Sequence, residues 1–173
     1  MKVFKYLILF IVAVSCGPLV SYDYEESTDF SKYKSYNYFD DMETGLSFFD
    51  QKRMIRAIDS QLTKLGLERK YNADFYIDIS CKDAQNRTNS SFGIGVGGTG
   101  GNVGGAISVG VPVTNNLRSR EVVIEFIDLK QTEKLIWKAI TESYYKPNDT
   151  PENREEHFNT VAERIFKRYP PKK

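Results

Sequence analysis

Little in this chain is suited to chemistry. A single histidine, His157, stands among 173 residues, and a serine or cysteine triad needs an imidazole base. Any such triad has to use His157, which sits in a helical stretch whose neighbours are mostly charged, so it reads as an exposed helical histidine. Cysteine is nearly as scarce, limited to Cys16 and Cys81. Net charge is lacking too: 24 Lys and Arg stand against 23 Asp and Glu. No field draws a polyanion to the surface, which sets nucleic acid aside as a partner. Nor is any apolar run long enough to cross a bilayer. The longest, Tyr6 to Val14, stops at Cys16-Gly17-Pro18, whereas a spanning helix needs about 20 apolar residues.

That short run carries its own meaning. Lys2 and Lys5 make a basic start, an apolar stretch follows, and Ala13-Val14-Ser15-Cys16 resembles a lipobox, in which a small residue precedes the cysteine that becomes the new N-terminus. The expectation is a lipoprotein signal peptide over residues 1–15, a lipidated cysteine and tether over 16–21, and a single domain over 22–170. The Cys16 thiol would take a diacylglyceryl group and its freed amine a further chain, and two or more chains give stable anchoring where one does not. The alternative is a secreted protein with Cys16 bonded to Cys81. Loss of residues 1–15 removes Lys2 and Lys5 and takes the formal charge from +1 to −1.

In the remaining chain, Val20 to Glu25 and Tyr33 to Phe39 read as strands separated by a turn over Thr28 to Lys32. From Ser47 to Leu65 the period becomes helical, with Met54, Ile55, Ile58, Leu62 and Leu65 on one stripe and Gly66 as the cap. Ala73 to Lys82 alternates, placing Phe75, Ile77, Ile79 and Cys81 on one face and Asp74, Tyr76 and Asp78 on the other. Glu121 to Asp128 and Leu135 to Tyr144 form an expected hairpin that includes Trp137. Thr150-Pro151 opens a last helix with an apolar stripe of Phe158, Val161, Ala162, Ile165 and Phe166, and Pro170-Pro171 stops it. The expected fold class is α+β: a mixed, mostly antiparallel sheet of five to six strands with two helices packed on one face, plus a glycine-rich hairpin.

The glycine-rich stretch deserves its own test against chemistry. Gly95-Val96-Gly97-Gly98-Thr99-Gly100 satisfies the dinucleotide fingerprint literally, but that motif works only where a strand hands over to a helix. Gly101-Asn102-Val103-Gly104-Gly105 cannot start a stable helix, and no Walker lysine motif is present, so no cofactor is expected. Phe92, Ile94 and Val96 on one side, and Ile107, Val109, Val111 and Val113 on the other, suit a hairpin or flap that docks on a membrane or a partner's sheet edge. Asp74 and Asp78 share a strand face and would in principle pair as carboxylates for metal or acid–base work, yet that spacing is commoner among solvated acids. Asp40, Asp41 and Glu43 lack calcium-loop spacing. Cys81, among apolar neighbours, reads as a buried thiol rather than a nucleophile. No catalytic or metal-binding residue is assigned.

The order of features adds a resemblance. Tyr22-Asp23-Tyr24, Asp29-Phe30-Ser31-Lys32-Tyr33, a helix ending at Leu65-Gly66, Ala73-Asp74-Phe75, a glycine-rich stretch, Asp128 before a turn, Lys134-Leu135-Ile136-Trp137 and a closing Tyr169-Pro170 resemble the bacterial lipoprotein family of the domain of unknown function 4136. The usual arginine or glycine after that tryptophan is replaced by Lys138-Ala139. The resemblance implies an exported α+β lipoprotein, acylated at Cys16, in the envelope of Gram-negative bacteria such as the Bacteroidetes, held at the outer membrane with the periplasmic face favoured. It carries over no catalytic residues. The leading expectation is a non-enzymatic binding or assembly module for an envelope protein or cell-wall component, working through Asp74, Tyr76, Asp78, Gly95, Gly97, Gly98 and Gly100. The alternative is a periplasmic carrier of a small hydrophobic ligand or lipid, held between sheet and helices.

Overall fold

The computed structural model describes residues 20–83, 117–131 and 133–171. The glycine-rich stretch, with Gly95, Gly97, Gly98 and Gly100, and the N-terminal segment with Cys16 lie outside the described residues.

The strands are β1 (Val20–Tyr24), β2 (Ser35–Tyr38), β3 (Glu68–Arg69), β4 (Phe75–Asp83), β5 (Arg118–Asp128) and β6 (Lys134–Tyr145), and the helices are α1 (Phe48–Lys64) and α2 (Pro151–Phe166). Short 3-10 turns cover Phe30–Lys32 and Leu129–Gln131. The strands form one sheet in the order β1-β6-β5-β4-β2-β3. Pairing is antiparallel throughout β1, β6, β5 and β4, while β2 runs parallel to both β4 and β3. Parallel neighbours need a crossover long enough to return the chain, and α1 supplies it between β2 and β3.

Both helices start on side-chain caps. Ser47 accepts from the Asp50 N–H and Thr150 from the Asn153 N–H, with Pro151 in the first helical turn. At the other end of α1, Gly66 has φ +81°, the left-handed conformation that glycine adopts at little cost. Gly45 has φ +67°, and a Cβ there would lie 2.3 Å from the Cys81 carbonyl oxygen. The Cys81 N–H donates to the Thr44 carbonyl at 2.9 Å, so the loop before α1 is pinned backbone to backbone on β4.

One hydrophobic core joins the sheet to both helices, placing the two helices on the same face. It contains Phe75, Ile77, Ile79, Val122, Ile124, Phe126, Trp137 and Ala139 from the strands, Met54, Ala57, Ile58 and Leu62 from α1, and Phe158, Val161, Ala162, Ile165 and Phe166 from α2. Aromatic rings run across its middle: Phe75 to Phe126 at 4.4 Å, Phe126 to Trp137 at 4.7 Å, and Trp137 to Phe166, stacked at 5.8 Å. Tyr169 packs edge-on against Trp137 at 5.3 Å. Between Phe126 and Ile127 the register of β5 on β6 shifts, passing from Trp137 to Leu135 and leaving Ile136 as the extra residue of a bulge. The bulge explains why Ile136 and Trp137, adjacent in a strand, are both buried.

Candidate functional site

The helices clothe one side of the sheet. On the other side the alternation of β4, β5 and β6 sets out half-buried Tyr76, Asp78 and Ser80, then Val123, Glu125 and Ile127, then Lys138 and Ile140. The register aligns these into rows. Asp78 faces Glu125, Glu125 faces Lys138 and Lys138 faces Asp23, while Ser80, Val123, Ile140 and Ser21 form the next row. Lys138 Nζ meets Glu125 Oε1 at 2.7 Å. Partial burial raises the Asp78 carboxyl above its ordinary value, and the Glu125 and Asp41 charges raise it further. One row is thus wholly charged and the next is apolar flanked by serines, so the face as a whole sets charged and apolar groups side by side at regular spacing.

Of the three strand residues expected on this face, Tyr76 and Asp78 are there. The Tyr76 hydroxyl donates to the Tyr71 carbonyl at 2.8 Å and its ring lies 5.5 Å from that of Phe39. Asp74 is elsewhere. It precedes β4, and its Oδ2 accepts from the Lys34 N–H at 2.9 Å, the Ser35 N–H at 3.0 Å and the Ser35 hydroxyl at 2.9 Å, while Oδ1 meets Lys130 Nζ at 2.7 Å. Partial burial pushes this carboxyl up, but Lys130 and the Lys34 and Ser35 donors outweigh it and hold it well below the usual range. Asp74 thus ties the start of β2 to the start of β4 and to the turn after β5. It does not pair with Asp78. The thiol of Cys81 is buried, as its alternation predicts, and burial pushes it up to about 12, far from a reactive thiolate.

A second cluster, not anticipated from the sequence, sits where β4 and β6 end and β5 begins, near the start of α2. Arg120 Nε meets Asp83 Oδ1 at 2.6 Å, its guanidinium lies 4.1 Å from the Tyr145 ring centroid, and the Tyr145 hydroxyl donates to Asp83 Oδ2 at 2.9 Å. Beside it His157 Nε2 lies 3.1 Å from Ser143 Oγ. His157 is half-buried rather than exposed, because it lies one turn before Val161 on the edge of the apolar stripe. Burial lowers its pKa, and the Arg120 and Arg164 charges lower it further. Ser143 and His157 superficially form a nucleophile and base, but the serine is only 3% exposed. Nearby Asp50 spends its two oxygens on Arg53 and Arg154, at 2.9 and 2.6 Å, leaving it no place as the third member. Arg120, Asp83 and Tyr145 join the three strands, His157 fastens α2 to β6, and Asp50 joins α1 to α2. Among the described residues no group of three or more metal-ligating side chains converges.

The family profile described as "Domain of unknown function (DUF4136)" matches residues 20–171. The chain belongs to this family. No curated protein matches it. Among solved structures, it is similar to a DUF4136 family protein from Bacteroides thetaiotaomicron, at TM-score 0.51 and 12% identity, covering 87% of this chain and 95% of that one. It is also similar to a PDZ domain protein from Parabacteroides distasonis, at TM-score 0.54 and 15% identity, covering 89% of this chain. This chain spans only 36% of the length of the Parabacteroides protein. At such identities the likeness speaks for the fold, and the DUF4136 fold is accordingly an α+β sheet of mixed direction with two helices.

Proposed function

We propose that this DUF4136 protein is an envelope lipoprotein, anchored through acyl chains on Cys16, and that its domain is a binding or assembly module rather than an enzyme. The observation that carries the module reading is the one-sided architecture. Two helices and an aromatic core cover one face of the sheet, while the other presents Tyr76, Asp78, Val123, Glu125, Lys138 and Ile140 half-exposed in register. A regular face mixing apolar and charged side chains fits an extended partner, such as an envelope protein or a cell-wall strand, better than a small molecule. The carrier alternative asks for space between sheet and helices. There Trp137, Phe75, Phe126 and Met54 are fully buried against one another, so that space is filled with protein.

Val123→Glu with Ile140→Glu changes the face without touching the core. Co-sedimentation with isolated peptidoglycan, and cross-linking to envelope proteins in intact cells, should fall about tenfold or more if the face carries the binding. Recovery equal to that of the parent protein, with the circular dichroism unchanged, contradicts this role.

A further inference from the structure

We propose that the end of the domain carrying the N-terminus of α1 lies in the membrane surface, with Phe48 and Phe49 as its inserted side chains. The inference rests on the anchored reading above and adds an orientation to it. Phe48 and Phe49 are 65% and 67% exposed, their rings meeting edge-to-face at 5.6 Å, with Lys52 Nζ 4.3 Å above the Phe48 ring. Two adjacent, largely solvent-exposed phenylalanines with a lysine beside them form the apolar tip and cationic neighbour that suit the boundary between headgroups and acyl chains.

Their position gives them a partner. Val20, where the sheet begins, pairs with Thr141, Thr141 with Val122 and Val122 with Cys81. Cys81 in turn is bonded to Thr44, just before the Ser47 cap of α1. The row from Val20 to Cys81 therefore crosses four adjacent strands, about 14 Å at the usual strand spacing, and Thr44 at the root of α1 lies one hydrogen-bonded step further. Cys16 is four residues before Val20, a reach of about 14 Å even when fully extended. An acylated Cys16 thus brings this end of the domain within reach of the bilayer. Leu117 and Tyr144, 47% and 54% exposed, lie at the same end, where β5 begins and β6 closes. The exposed cations there, Lys52, Lys82, Arg118 and Lys146, are offset by Asp83, Glu121, Glu142, Asp149 and Glu152, so contact depends on the aromatic rings and responds little to salt.

The test uses the full chain carrying Phe48→Trp, reconstituted in phosphatidylcholine vesicles with acyl chains brominated or not, and intact mass measured on the same sample. Trp137 is fully buried and serves as the unquenched background. The inference expects brominated lipid to reduce the added emission about twofold or more, unaltered by raised salt. The control Tyr71→Trp replaces a residue that is 87% exposed, just after β3 at the far end of the domain, and should stay unquenched. An acylated protein whose emission is unquenched, or equally quenched at both positions, overturns the orientation and leaves the anchor standing. A protein without acyl mass overturns the anchored reading itself.

Discussion

Asp74 shows how much one side chain decides beyond what alternation can display. Period-two patterning extends naturally from Phe75 back to Ala73 and puts Asp74 on the outer face. Strand pairing, however, starts only at Phe75, and a short acidic side chain just outside a strand can turn to satisfy neighbouring backbone N–H groups. Its partners, Lys34, Ser35 and Lys130, are far away in sequence, so no local signal reports them. His157 is different, since its spacing from Val161 and Ile165 places it beside the buried stripe and its half-burial was readable. The Asp74 latch has a signed consequence for pH. Its pKa in the folded protein lies below the unfolded value of about 3.9, so its stabilising contribution is complete above that value and is lost progressively as pH falls from there through the lower folded-state pKa. Asp74→Asn should cost about 1–2 kcal/mol at neutral pH and flatten the loss of stability below pH ~4. Urea unfolding across pH measures both effects, and a variant with the parent's acid dependence would refute the latch.

At the scale of elements, most of the fold was legible because each element follows its own rule cleanly. β4 alternates, α1 and α2 carry apolar stripes between recognisable caps, and the β5–β6 hairpin encloses a polar turn. What escaped was set by tertiary context. β3 is only two residues long, too short to show a period, and the bulge at Ile136 exists because the Trp137 ring must face the core while Leu135 pairs outward. The parallel placement of β2 beside β4 follows from the helix between them, but which edge it joins does not. Contact between the helices was likewise invisible. Asp50, 5% exposed, links Arg53 on its own helix to Arg154 on α2, and Arg154 also donates to the Pro147 carbonyl. Glu155 joins Arg56 across the same seam. Asp50→Ala leaves two guanidinium groups facing each other across a partly buried gap, and should destabilise the domain by ~2–4 kcal/mol. Arg56→Ala, on the exposed rim, should cost far less. Denaturant midpoints for the two variants check the contrast, which equal losses would remove.

For the molecule as a whole, the arrangement of layers gives the account its direction. One face of the sheet is occupied by helices, the other carries half-exposed rows, and the end next to Val20 bears the exposed Phe48–Phe49 pair. The α+β class and the family were both legible from the order of features along the chain. The candidate site was legible only in part: Tyr76 and Asp78 lie where alternation puts them, Asp74 does not, and the four glycines fall outside the described residues. Everything proposed for the sheet face and for the aromatic end presumes a protein held at a membrane by Cys16. Intact mass of the protein extracted from its native membrane, compared with Cys16→Ala, tests that presumption most directly. The account predicts a wild-type chain that begins at Cys16 and carries the mass of its acyl chains, and a variant that lacks them. An unmodified Cys16, or one bonded to Cys81, would contradict it.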